Sequence, residues 1–341
     1  MFFASDNGSA VAPEVLAALA ADPGPAMPYG ADPVTAEVTA MIRTLFEAPE
    51  AEVALVTSGT AANALALATL SPPWGAIFCR EEAHIEADEC NAAEFFSGGG
   101  KLVTLPGEQG KLAPETLAAA LARFAPGDLH AARPAALSLT NVTELGTLYR
   151  PAEIAALTAV ARTRGLGCHL DGARFANALV AADASPAEMS WRAGIDILSL
   201  GGTKNGLMGV EAVVVFDPVR ADELRIRRKR AGHLMSKHRY LALQMRAYLA
   251  NGLWLRLARH ANAAAARLAE GLAALPDVRL VAPAEANLIF ADLPQALAHR
   301  ARAAGAVFYD MSREGNRVRV RLVCSWNTSD AEVDAFVAAL A

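Results

Sequence analysis

Short apolar runs, each closed by polar residues or glycine, recur along this chain between long alanine-rich stretches. Alanine favours helix wherever it is abundant, so strands are read from clusters of β-branched and other large apolar residues. Residues 52–57 form the first such cluster, and Ser58-Gly59-Thr60 then opens a helix over 61–70. Further strands are expected at 76–79, 101–105, 136–140, 167–170, 195–200 and 211–216. Helices are expected at 114–124 and 151–164, each beginning with a proline, which suits the first helical turn. Strand–helix alternation with right-handed crossovers predicts a mostly parallel sheet covered by helices.

After about Ser236 the texture changes. Residues 240–275 form one long amphipathic stretch, kinked near Asn251-Gly252. Strands follow at 278–281, 286–291 and 317–323, with helices at 294–304 and 329–340. The fold class expected is α/β, with a large domain over 1–245 that includes an N-terminal arm. A smaller α+β domain is expected over 246–341. No internal repeat or low-complexity tail interrupts this order.

Composition narrows the class. The chain has 341 residues, 53% of them hydrophobic, enough for a large core and a second, smaller one. A net charge of −5 gives no global basic field for nucleic acid. The basic run from Arg225 to Arg230 reads as a solvated helix or a subunit interface. Cys79, Cys90, Cys168 and Cys324 are scattered without metal-site spacing, so no metal is expected and the thiols read as reduced and cytoplasmic. No signal peptide opens the chain and no apolar run reaches the length of a membrane span, so a soluble protein is expected.

The candidate chemistry lies at strand ends. Asp171, in Cys168-His169-Leu170-Asp171-Gly172-Ala173-Arg174, and Lys204, in Ser199-Leu200-Gly201-Gly202-Thr203-Lys204-Asn205-Gly206, each close an apolar run. Open α/β sheets bind ligands at the C-terminal ends of their strands. A lysine there can form a Schiff base with an aldehyde, and an aspartate on a neighbouring strand can keep a pyridinium nitrogen protonated. Pyridoxal 5′-phosphate (PLP) requires both roles. Ser58-Gly59-Thr60, where strand meets helix, offers amides for a phosphate, although a serine or threonine there also suits a plain helix cap. Thr203 could add a hydrogen bond to that phosphate. Arg174 could reach the cofactor or a substrate carboxylate, and His84 follows a strand end where it could lie over a flat ring. Arg317, Arg319 and Arg321 share one strand face, and an arginine fork there could hold an α-carboxylate. Spacing does not decide which one.

Together these segments resemble the threonine aldolases, PLP-dependent enzymes of the aspartate aminotransferase fold type (fold type I). The resemblance runs through Ser5-Asp6-Asn7, Tyr29-Gly30-Ala31-Asp32-Pro33, Ser58-Gly59-Thr60, Ala83-His84-Ile85, Asp171-Gly172-Ala173-Arg174, the lysine segment and Arg321-Leu322-Val323. The lysine segment is most similar to the low-specificity L-threonine aldolase and phenylserine aldolase branch. The resemblance implies that Lys204 carries the cofactor, Asp171 pairs with its ring nitrogen, His84 stacks on the ring, and Gly59 and Thr60 bind phosphate. Ser5, Arg174 and Arg321 match positions that gather the substrate carboxylate. Tyr29 matches a tyrosine that reaches the adjacent subunit's site, which implies a homo-oligomer, dimer or tetramer.

One departure stands out. Many family members carry Glu-Asn-Thr-His where this chain has Thr140-Asn141-Val142-Thr143-Glu144, so a histidine that contacts the substrate hydroxyl is absent, with Thr143 in its place. The reaction expected is cleavage of β-hydroxy-α-amino acids such as threonine, allo-threonine or phenylserine to glycine and an aldehyde, with His84 one candidate base. A β-eliminating lyase or an aminotransferase would keep the same lysine and aspartate. A non-enzymatic scaffold would not need the full set.

Overall fold

The computed structural model describes residues 1–21 and 24–341. Two helices, α1 (Pro13–Ala20) and α2 (Pro33–Leu45), precede the first strand. The chain then runs β1 (Glu52–Val56), α3 (Gly59–Leu70), β2 (Gly75–Arg80), α4 (His84–Ala87), α5 (Ala92–Ser97) and β3 (Lys101–Leu105). It continues through α6 (Pro114–Ala122), β4 (Arg133–Thr140), α7 (Pro151–Arg162), β5 (Gly167–Gly172) and α8 (Phe175–Ala182) to β6 (Ile197–Leu200) and β7 (Glu211–Val215). These strands form one sheet in the order β1-β7-β6-β5-β4-β2-β3.

Only β7 runs against its neighbours. The others are mutually parallel, so their C-terminal ends meet at one edge. Because β7 returns antiparallel directly after β6, its first residue, Glu211, lies at that same edge, opposite Val56. The central strands are buried along their whole length, which is why they read as continuous apolar runs rather than alternating ones. Helix α3 is mostly alanine and leucine all round because residues 61–70 are all buried, against the sheet on one side and α5 and α9 (Ala221–Arg230) on the other.

The stretch expected as one kinked helix is two, α10 (Arg239–Leu249) and α11 (Leu253–Ala273). Asn251 and Gly252, with φ of 52° and 67°, break it where the sequence placed the kink. The second unit follows: β8 (Arg279–Leu280), β9 (Leu288–Pro294), α12 (Gln295–Ala303), β10 (Tyr309–Glu314), β11 (Arg317–Val323) and α13 (Asp330–Leu340). Its strands form an antiparallel sheet in the order β10-β11-β9-β8. Strand β10 was not anticipated, because Tyr-Asp-Met-Ser-Arg-Glu is exposed over most of its length and carries no apolar face.

The larger core takes in residues through Ala258, and the smaller begins at Ala264 and closes around Leu268, Val320 and Phe336. Phe3 is fully buried in the smaller core, where its N–H donates to the Val307 carbonyl and its carbonyl accepts from Val323. The N-terminal arm therefore starts on the second unit and crosses to the edge where the parallel strands end. Among the described residues, no helix is long and apolar enough to cross a membrane.

Candidate active site

A cavity of about 270 Å³ opens at the C-terminal ends of the parallel strands. Each wall comes from a different strand end. Thr57, Ser58, Gly59 and Thr60 follow β1, His84 follows β2, and Thr140, Val142 and Glu144 close β4. Asp171 and Arg174 follow β5, Thr203 and Lys204 follow β6, and Glu211 opens β7.

Lys204 sits in a tight turn that only glycines allow. A Cβ at Gly201 would lie 2.2 Å from the Ala173 carbonyl oxygen, and one at Gly202 would lie 2.7 Å from that of Val210. The next residue pins the turn: Asn205 Nδ2 donates to Tyr248 Oη (2.8 Å) and to the Trp254 carbonyl (2.9 Å). Burial and the Arg174 guanidinium push the Lys204 amine below its ordinary proton affinity, against the pull of Asp6, Asp171 and Glu211. An amine so placed is more often neutral and hence more nucleophilic. Burial pushes Glu211 up to about 7, and its Oε2 accepts the Gly202 N–H at 2.6 Å.

Asp171 is locked on both oxygens. Oδ1 accepts the Ala173 N–H and Oδ2 accepts Asn63 Nδ2, each at 2.9 Å. The same Asn63 Nδ2 donates to Glu89 Oε1 (2.9 Å), which also bonds His84 Nδ1 at 2.8 Å. A continuous chain of hydrogen bonds therefore joins His84 to Asp171. The bond to Glu89 raises the proton affinity of His84 above its usual value despite partial burial. Beneath Asp171, His169 is fully buried between Ser138 and Ser199, and burial lowers it to about 4, so it is neutral.

The cavity fits the cofactor expected from sequence. The first amides of α3 have no partner within the helix, Ser58 Oγ caps the Ala61 N–H, and a Cβ at Gly59 would meet no atom within 4 Å. That leaves open space for a phosphate beside Thr60 and Thr203. Lysine, aspartate and histidine in the same cavity supply the amine, anion and flat ring that PLP chemistry uses.

Sequence-expected residues divide by position. Gly59, Thr60, His84, Asp171, Arg174, Thr203 and Lys204 share the cavity. Ser5 does not line it; its Oγ caps the Asn7 N–H, and Asn7 is the residue of the arm that reaches the cavity. Arg174 already grips Asp6 with two bonds, of 2.7 and 2.9 Å, and Asn287 Nδ2 joins the same carboxylate at 3.1 Å. Arg321 lies just outside the lining, over the Tyr309 ring, with Nη2 on the Ala4 carbonyl (3.3 Å) and a buried Nε without a partner. Its two neighbours on that strand face are committed elsewhere. Arg319 forms a two-pronged pair with Asp292, and Arg317 donates to the Asp277 and Asp292 carbonyls. Tyr29 is half exposed under Lys229, away from its own chain's cavity.

Thr143 departs from its expected place. It is fully buried, its Oγ1 bonded to Thr147 at 2.7 Å, and the residue turned to the cavity is its neighbour Glu144. The sequence reading also missed Asn63, Glu89 and Glu211. Two carried a signal: Asn63 is the one amide in a helix built mostly of alanine and leucine, and Glu211 is an acid opening an apolar strand.

Comparison with known proteins gives the family. The sequence pattern of the family described as Beta-eliminating lyase matches residues 3–296. The low specificity L-threonine aldolase of Pseudomonas aeruginosa is 45% identical over 96% of this chain and 93% of its own. Its namesake from a Pseudomonas species is 42% identical over 97% and 94%. Among solved structures, the Leishmania major threonine aldolase superposes with a TM-score of 0.94 at 30% identity, over 99% of this chain and 98% of that one.

Proposed function

Because the chain belongs to the family of the low specificity L-threonine aldolases, within the beta-eliminating lyases, we propose that its cavity cleaves the Cα–Cβ bond of β-hydroxy-α-amino acids. The products are glycine and an aldehyde. The enzyme is a PLP-dependent carbon–carbon lyase. The observation that supports the chemistry most is one cavity holding both a buried lysine of lowered proton affinity and a carboxylate locked on both oxygens.

When bound, PLP supplies an aldehyde for amines and an electron-poor ring that accepts the electron pair released at Cα. Lys204 would hold the cofactor through its aldehyde. Asp171 would keep a proton on the ring nitrogen, and His84 would support the ring. Gly59, Thr60 and Thr203 take the phosphate. Arg321, with Arg174, would hold the substrate carboxylate, and fixing that group selects which bond at Cα is aligned for cleavage. A panel of threonine, allo-threonine, serine and phenylserine, scored for glycine and aldehyde, tests the reading. Keto acid and ammonia in place of those products would move it to β-elimination.

Arg321 suits the carboxylate because Arg174, a second cation, faces it and lowers its proton affinity after burial has done so. An arriving anion relieves both effects. Arg321→Ala is expected to cost about 2–5 kcal/mol in kcat/KM for threonine while PLP affinity holds. Arg321→Lys should recover little, since an ammonium lacks the fork. Near-parent kcat/KM in Arg321→Ala, measured by steady-state kinetics, would place the carboxylate elsewhere.

The same reading has the protein working in the cytoplasm as a homo-oligomer, dimer or tetramer. Tyr29, turned away from its own cavity, supports a site shared between subunits. The division into a cofactor-binding part over 1–245 and a small part over 246–341 is proposed on similar grounds. The change of core within α11 supports a junction in that stretch.

A further inference from the structure

Retro-aldol cleavage needs a base for the substrate's β-hydroxyl, and the carboxyls and imidazole around the cavity are not equally available. His84 Nδ1 is held by the Glu89 carboxylate at 2.8 Å, which fixes the imidazole in the place where the reading above sets it against the cofactor ring. Asp171 is saturated by Ala173 and Asn63 and belongs to the ring nitrogen. Glu211 is taken up inside the lysine turn, where it accepts the Gly202 N–H. Glu89 is buried behind His84.

Glu144 remains. It stands on a loop whose neighbours are tied down internally: Asn141 Nδ2 donates to the Tyr149 carbonyl (2.9 Å), and Thr143 Oγ1 bonds Thr147. Its Oε1 accepts the His84 backbone N–H at 3.0 Å, which fixes the carboxyl in the cavity wall beside the imidazole. We propose that Glu144 is the catalytic base that takes the β-hydroxyl proton of the substrate. This rests on the aldolase reading above. The O–H bond breaks, its electron pair becomes the second bond of the aldehyde carbonyl, and the Cα–Cβ pair stays with the glycine fragment. Glu144 then loses the proton to solvent, and Cα gains one from solvent, so the reaction is balanced without an oxidant or reductant.

The proton affinity suits the task. Burial pushes Glu144 up to about 7, against hydrogen bonds from Thr140 and backbone N–H groups. Asp171 raises it further, while Arg174, which it faces across the cavity, opposes the rise. Cys79 on β2 and Tyr149 at the end of its own loop feel the same carboxylate, and both are neutral at that pH because burial raises the thiol to about 12 and pushes the phenol well above its ordinary value. The base form is the ionised one, so kcat/KM should rise with pH through about 7.

Glu144→Gln keeps an oxygen for the His84 N–H and removes the proton acceptor. Three readouts on the full-length protein test it: threonine cleavage, PLP affinity by equilibrium titration, and exchange of the glycine α-proton with solvent deuterium. Cleavage is expected to fall about 10²–10⁴-fold and to lose its acid limb near pH 7. PLP affinity and glycine exchange, which involve no β-hydroxyl, should stay within about threefold of the parent. Cleavage within about threefold of the parent would overturn the assignment. So would a parallel loss of all three, which marks a structural residue. A parent that exchanges the glycine proton but releases no aldehyde from threonine would instead overturn the aldolase reading, and this assignment with it.

Discussion

Lys204→Ala is expected to lower threonine cleavage by roughly 10⁴-fold or more, since among the described residues Lys204 is the one lysine that lines the cavity. The fold should not suffer. Burial depresses the proton affinity of Lys204, so its charged form is a cost to the folded state that grows as pH falls below the ordinary lysine value. Removing the amine relieves that cost. The PLP-free variant should therefore melt at or above the temperature of the PLP-free parent. Thermal melts and steady-state kinetics on the same preparation separate the two effects. A stable variant with parent-like turnover would end the role given to Lys204, and an unfolded one would show that the turn, not the amine, had been tested.

Asp171→Ala is expected to lower kcat by about 10²–10³-fold, the loss typical of removing one preorganised charge at a site where charge develops. It carries a second cost. The Ala173 N–H and Asn63 Nδ2 lose their acceptor, and an unmet buried donor costs about 1–3 kcal/mol. Asp171→Asn separates these effects, because it retains an oxygen for one of the two donors while giving up the charge. Both variants should lose most turnover, and the asparagine variant should melt closer to the parent. Kinetics and thermal denaturation of the pair decide it. An asparagine variant as active as the parent would reduce Asp171 to an anchor for Asn63 and the β5 turn.

The pair at the strand ends was legible because an open sheet puts function where parallel strands stop, and both stops show as an apolar run ending in a polar residue and glycines. Neighbourhood between distant segments was not. Glu89 reaches His84 and Asn63 across the end of β2, and nothing local in the sequence announces that contact. The arginine face of β11 shows the limit well. A period of two puts Arg317, Arg319 and Arg321 together, but the register that sets Arg319 opposite Asp292 belongs to the pairing of β11 with β9. Only that pairing reveals Arg321 as the uncommitted one. Glu144 was hidden by a single residue, because in an irregular loop the side chain that faces inward follows from the loop's own hydrogen bonds, here Thr143 to Thr147. Strand β10 escaped because it is held by pairing to β11 rather than by an apolar face of its own.

The most direct test of the central claim is the fate of the Cα–Cβ bond itself. Threonine labelled with carbon-13 at both positions is incubated with the PLP-loaded protein and followed by NMR. Cleavage predicts that the one-bond carbon–carbon coupling disappears, with one label in glycine and the other in acetaldehyde, in equal amounts and without ammonia. A product that keeps the coupling, such as a four-carbon keto acid formed with an equivalent of ammonia, would contradict it.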